Sequence, residues 1–113
     1  MKVYGIKNCD TMKKAFAWLE SRGVAYELHD YRKAGVPAGK LRGWAKRAGG
    51  EKLANTRGTT WRKIPQKSRQ GLTEARMIAL LEANPSAIRR PIVEAGARLL
   101  IGFDEAEFAR GLK

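Results

Sequence analysis

The hydrophobic pattern changes period several times along the chain, and each change predicts a different element. Residues 2–6 (Lys-Val-Tyr-Gly-Ile) are short and rich in β-favouring side chains, which predicts a first strand. Asn8-Cys9-Asp10-Thr11 then supplies turn and helix-capping chemistry. Met12, Ala15, Phe16 and Leu19 recur at i, i+3, i+4 and i+7, so residues 11–22 read as a helix stopped by Gly23. Val24, Tyr26 and Leu28 alternate with polar residues and predict a second strand over 24–30. Strand, helix and strand at this spacing form a right-handed βαβ unit with parallel strands.

The style then shifts. Gly35-Val36-Pro37 breaks the pattern, and Pro37 suits the first turn of a helix. Leu41, Trp44, Ala45 and Ala48 form the stripe of that helix, which runs to Gly49-Gly50. Residues 51–69 have no clean period and predict short helical turns and loops. Thr73 can cap a helix running to Asn84, with Met77, Leu80 and Leu81 facing inward and Pro85 beyond its end. Ile92-Val93 and residues 98–101 bracket a turn containing Gly96, a hairpin signal. Asp104-Glu105-Ala106-Glu107 then has the form of a capping box, with Phe103 and Phe108 placed as a hydrophobic staple for a final helix. The resulting order is β-α-β, a helical insertion, then β-β-α. This is an α/β class with a mixed central sheet, the skeleton of a thioredoxin-like fold. It predicts one domain over 1–113, with 1–31 and 86–113 as the core and 32–85 as a mostly helical insertion.

Length and composition narrow the chemistry. The 113 residues suffice for one domain with a working core. A hydrophobic fraction of 43% is too high for a disordered chain, even with 30% charged residues. No run approaches a membrane span, and the first residues carry no apolar stretch of a signal peptide, so a cytoplasmic chain without membrane partners is expected. One cysteine, Cys9, excludes an internal disulfide or a multi-cysteine metal site, and a single histidine, His29, argues against a histidine-rich one. No metal and no bound prosthetic group are expected. The formal net charge of +12 is uneven. Residues 32–69 hold twelve basic side chains and one acid, Glu51, a net +11 against +1 for the rest. Such a block first suggests a polyanionic partner. A solvated basic face explains it more simply, because charge alone carries no base or phosphate geometry. Trp44 lies on an apolar stripe and reads as core rather than as a stacking platform. Nucleic acid is therefore not expected as a partner.

The thiol is the candidate for chemistry. Cys9 falls where a strand gives way to a helix, where unpaired N–H groups and the helix dipole favour an anion and lower a thiol pKa. Its neighbours Asn8, Asp10 and Thr11 are polar, unlike those of an inert core cysteine, and Lys13 and Lys14 add positive charge in the next turn. A thiolate is the nucleophile of disulfide exchange. The usual resolving partner is missing, because the run is Cys9-Asp10-Thr11-Met12 and a thioether cannot resolve a disulfide. Resolution must come from outside, with glutathione or a partner thiol protein as the natural candidate.

Residues 4–15 (Tyr-Gly-Ile-Lys-Asn-Cys-Asp-Thr-Met-Lys-Lys-Ala) resemble the opening motif of the ArsC/Spx-like family, specifically its YffB-type branch. The resemblance continues through His29-Asp30-Tyr31, Asn55-Thr56-Arg57-Gly58-Thr59-Thr60, Arg89-Arg90-Pro91-Ile92-Val93 and Gly102-Phe103. It implies a thioredoxin-like core with a helical insertion, and thiol chemistry of the arsenate-reductase-like kind, glutathione being the co-substrate. It implies Cys9 as nucleophile, with Arg57 and Arg90 as arginines around the thiolate or oxyanion. It implies Pro91 as the cis-proline facing the cysteine. Asn8, Asp10, Thr11, Lys13 and Pro91 are the expected substrate- or glutathione-binding positions. Arsenate reductases of this type carry a third arginine, and the alignment puts Ile101 in its place, with Arg98 nearby but not equivalent. That departure weighs against arsenate as substrate. The alternative reading is an Spx-like regulator binding RNA polymerase, or a non-catalytic binding module. The Spx variant is weakened because those redox switches commonly carry Cys-x-x-Cys. His29 has no metal-spaced companion and reads as structural.

Overall fold

The computed structural model describes residues 1–112 apart from Asn8 and Pro37, with Ala38 described by its backbone alone. The expectation for Pro37 thus lies outside the described residues. The chain divides into two compact units. One comprises Met1–Ala34 and the chain from Arg90 onward; the other is Gly35–Arg89.

The first unit is the thioredoxin-like α/β body. Its elements are β1 (Lys2–Gly5), α1 (Asp10–Ser21), β2 (Glu27–Asp30), α2 (Tyr31–Ala34), β3 (Ile92–Ala95), β4 (Arg98–Ile101) and α8 (Glu105–Gly111). The sheet order is β2-β1-β3-β4, with β1 and β2 parallel and the other pairs antiparallel. The sheet is therefore mixed. Alternation along the strands sorts the side chains. Val3, Leu28 and Val93 share one face, and Val3 and Val93 pack with Met12, Ala15, Trp18 and Leu19 of α1 and with Phe108 and Leu112. The other face carries Tyr4, His29 and Ile92 side by side.

Strand β2 is shorter than the expected 24–30. Strand β1 spans only four residues, and its ladder with β2 runs from Lys2↔Glu27 to Gly5↔Asp30, so residues 24–26 have no strand to pair with. Their apolar side chains pack nonetheless: Val24 and Tyr26 lie against the core, and Tyr26 stacks on Phe16 at 5.5 Å. The hairpin between β3 and β4 turns through Gly96-Ala97, and Gly96 takes φ +59°, a conformation suited to glycine. Helix α8 begins as expected. Asp104 Oδ1 accepts the Glu107 N–H at 3.0 Å, and the Phe103 and Phe108 rings meet edge-on at 4.9 Å. Asp104→Ala removes that cap and is expected to cost about 1 kcal/mol, read as a lower denaturant midpoint at unchanged slope.

The second unit is helical: α3 (Ala38–Ala48), α4 (Gly50–Leu53), α5 (Thr59–Lys63), α6 (Gln66–Arg69), α7 (Glu74–Ala83) and a 3-10 turn over Pro85–Ala87. Leu41, Trp44 and Ala45 of α3 are buried, so the stripe read from the sequence faces inward. Thr73 caps α7 by accepting the Arg76 N–H at 3.2 Å. On α7, Met77 and Leu81 are buried as expected, but Ile78 replaces Leu80 as the third buried side chain, Leu80 being only half-buried. Trp61 is buried on α5. An isolated bridge, Ala54 to Ile88, and the Arg89 N–H donating to the Leu53 carbonyl at 2.7 Å close the unit. Among the described residues no helix is long and apolar enough to cross a membrane.

Candidate functional site

Cys9 is the N-cap residue of α1, with extended backbone (φ −138°, ψ 136°). The helix begins at once: the Lys13 N–H donates to the Cys9 carbonyl at 2.9 Å. The thiol is half-buried, so it is reachable and partly dehydrated. Arg90 stands two residues before the start of β3, with Pro91 between. Because β3 lies alongside β1, a residue 81 positions away in sequence arrives beside the end of β1. Its Nε–H donates to the Cys9 Sγ at 3.3 Å.

The electrostatics favour a thiolate. Burial alone pushes the thiol pKa up, but the hydrogen bond from Arg90, the backbone N–H groups of Met12 and Thr11, and the Arg90 charge together hold it below its ordinary value. The two backbone groups act by direction and proximity, since Cys9 makes no side-chain capping bond of good geometry. The Arg90 hydrogen bond is the largest single influence lowering the thiol pKa. A guanidinium cannot lose its proton near neutral pH, so its pull on the sulfur is permanent.

Gly5 makes room for the Met12 thioether. A Cβ on Gly5 would lie 2.5 Å from both Sδ and Cε of Met12 and 3.5 Å from the Arg90 Cβ. Met12 itself is wholly buried within the first unit's core, so the thioether in the resolving position is a packing group. The Arg90–Pro91 peptide bond is cis and Pro91 is buried. The Pro91 carbonyl accepts the Gly102 N–H at 2.8 Å, tying this bend to the end of β4.

The other expected site residues are distributed as follows. Asp10, Thr11 and Lys13 lie exposed in the first turns of α1, around the thiol. Asn8 lies outside the described residues. Arg57 belongs to the second unit, where it is exposed in a tight turn closed by the Gly58 N–H donating to the Asn55 carbonyl at 3.1 Å. Ile101 pairs with Ile92 next to Pro91, so this position holds a half-buried aliphatic group. Arg98 is exposed at the opposite end of β4, paired with Ala95, three residues or roughly 10 Å of strand away. His29 is half-buried with its ring 5.0 Å from that of Tyr4. Among the described residues no three His, Cys, Asp or Glu side chains gather as a metal set. One residue passed over in the sequence is Tyr31, whose ring is buried and feels the charge of Arg90. Its only signal was its place in the His29-Asp30-Tyr31 run.

Known proteins share this fold. The solved structure of the YFFB (PA3664) protein superposes with a TM-score of 0.95 at 44% identity, covering 99% of this chain and 98% of that one. An uncharacterized protein of Haemophilus influenzae is 41% identical over 106 residues, 94% of this chain and 93% of its own length. The global transcriptional regulator Spx of Listeria innocua is 26% identical over 112 residues, 97% of this chain and 85% of its own. The ArsC family profile matches residues 4–110, almost the whole chain. The chain belongs to the ArsC family.

Proposed function

We propose that the protein is a glutathione-dependent thiol oxidoreductase that returns mixed disulfides to free thiols, with Cys9 as nucleophile. The observation that carries this reading is the Arg90 Nε–H at 3.3 Å from a half-buried Sγ whose pKa is lowered. The Cys9 thiolate attacks the glutathione sulfur of a glutathionylated thiol. A new Cys9–glutathione disulfide forms, the old S–S bond breaks, and the substrate leaves as a thiolate that takes a proton from water. A second glutathione thiolate then attacks the glutathione sulfur held on Cys9. Oxidised glutathione departs and the Cys9 thiolate is restored. The net reaction exchanges one disulfide for another: the substrate sulfur is reduced to a thiol, the incoming glutathione thiol is oxidised into the new disulfide, and the glutathione of the mixed disulfide keeps its oxidation level. No second protein cysteine is needed, which fits a chain with one.

In this reading Arg90 stabilises Cys9 both as attacking and as leaving thiolate. Arg57 is carried over from the family motif alone, its guanidinium being of the kind that binds a carboxylate bidentately. Asn8, Asp10, Thr11, Lys13 and Pro91 complete the glutathione contacts. The aliphatic Ile101 beside Pro91 favours a mixed disulfide over arsenate, an oxyanion that calls for more cations.

The test is the pH dependence of Cys9 alkylation. Below its pKa a thiol reacts slowly, so the rate climbs through the folded-state value. The wild-type midpoint is expected below the free-thiol value of about 8.5. Arg90→Gln removes the charge and the strongest donor, and the midpoint is expected to rise. A wild-type midpoint at the free-thiol value sinks the reading. The same pairing acts on stability. A thiol that titrates lower in the folded chain than in the unfolded one contributes stability above the unfolded pKa, and that contribution fades as pH falls through the folded pKa.

A second reading is a regulatory binding module, Spx-like on RNA polymerase, favoured by the named regulator among the relatives and by the strongly basic second unit. Retention of the protein on RNA polymerase, undiminished in Cys9→Ser, supports it; no retention at moderate salt removes it.

A further inference from the structure

The Arg90 charge also reaches a buried tyrosine, Tyr31. The Arg90 side chain leaves the backbone beside Gly5, as the 3.5 Å separation from a Gly5 Cβ shows. Gly5 is in register with Asp30 of β2, and the next residue is Tyr31. Asp30 Oδ1 accepts the Arg32 N–H at 2.8 Å, which turns the chain directly from strand into helix. That turn sends Tyr31 inward, leaving 1% of its surface exposed. Burial keeps its phenol neutral far above the ordinary range, while the Arg90 charge acts on it in the opposite sense. Tyr4 acts on it as well, in the raising sense. The Tyr4 hydroxyl donates to Glu94 Oε1 at 2.9 Å. All of these residues belong to the first unit.

We propose that Tyr31 is a positioning residue, its buried hydroxyl holding the Arg90 guanidinium against the Cys9 sulfur. An arginine side chain has about 2 kcal/mol of rotamer entropy to lose on being fixed. Its five N–H donors form a rigid fork, so an oxygen on one side restrains the donor presented on the other. A buried phenol in turn requires a polar partner. The inference rests on the thiolate reading above, because a fixed guanidinium matters chiefly to an anionic sulfur.

The test titrates Cys9 alkylation in four proteins: wild type, Tyr31→Phe, Arg90→Gln and the double variant. Tyr31→Phe keeps the ring and removes only the oxygen. It is expected to raise the Cys9 midpoint and lower the alkylation rate at pH 7 about threefold, and to add nothing in the Arg90→Gln background. If Tyr31→Phe leaves the profile unmoved while Arg90→Gln moves it, the role of Tyr31 falls and the thiolate reading stands. Equal shifts in both backgrounds also overturn it, since Tyr31 then does not act through Arg90. A wild-type midpoint at the free-thiol value overturns both. In the unaltered chain, a nuclear Overhauser contact between the Arg90 Hη protons and the Tyr31 ring checks the juxtaposition without any variant. Its absence, with both resonances assigned, overturns the proposal.

Discussion

Cys9→Ser is expected to abolish turnover of a glutathione mixed disulfide, by on the order of a thousandfold or more, while the chain stays folded. The reason is chemical rather than structural. A serine hydroxyl keeps its proton near neutral pH, and Arg90 cannot lower its pKa far enough to generate an alkoxide. An oxygen nucleophile also cannot form the disulfide through which the second glutathione completes the cycle. Met12, wholly buried, offers no substitute sulfur. The fold tolerates the change because Cys9 is half-buried at a helix start, where serine is a favoured N-cap. The measurement has two parts. Mass spectrometry after exposure to oxidised glutathione should find one adduct on the wild type, removed by excess reduced glutathione, and none on Cys9→Ser. Steady-state turnover should fall to the uncatalysed rate. Turnover that survives in Cys9→Ser, in a protein whose circular dichroism is unchanged, sinks the nucleophile assignment.

How much of this was legible in the residues differs from element to element. Helix α1 was readable because Met12, Ala15 and Leu19 bury one full stripe, and a period of 3.6 is hard to produce by chance over twelve residues. The staple and cap of α8 were readable because Phe103, Asp104, Glu107 and Phe108 act locally. Strand β2 was read too long because alternation reports which side chains are half-buried, not where a partner strand ends. Residues 24–26 alternate and pack, but without a ladder. On α7, Ile78 and Leu80 flank the same face, and only the neighbours across the packing decide which is covered. The thiol could be singled out from its polar surroundings at a strand–helix junction. Arg90 could not be placed beside it by any local rule, since the contact spans 81 residues and depends on β3 joining β1; only resemblance pointed there. Tyr31 was hidden for a similar reason. It looks like the end of a strand, and its burial follows from the Asp30 turn that sends it inward.

Phe108→Ala is expected to be the most damaging of the core truncations in the first unit, at about 3–5 kcal/mol. Phe108 has no exposed surface and sits between two aromatic rings. Trp18 of α1 meets it edge-on at 5.4 Å and 82°, and Phe103 meets it at 4.9 Å and 90°. Truncation therefore removes two favourable edge-to-face pairs, each worth about 0.5–1.5 kcal/mol beyond area burial. It also leaves a cavity among Val3, Leu19 and Val93, which stand on or against the sheet and cannot easily collapse into it. The whole stability of a domain is about 5–15 kcal/mol, so this one change consumes a large part of it. The denaturant midpoint should fall steeply with the slope unchanged, and Phe108→Leu should recover part of the loss. The effect should reach the site indirectly. The same cluster contains Met12, which lies against Gly5, and Gly5 borders Arg90. A loosened core is therefore expected to raise the Cys9 alkylation midpoint toward that of a free thiol under conditions where the folded form still predominates. If the midpoint of Phe108→Ala stays at the wild-type value down to the onset of unfolding, the thiolate is held by Arg90 and the α1 backbone alone, independently of the packing beneath them.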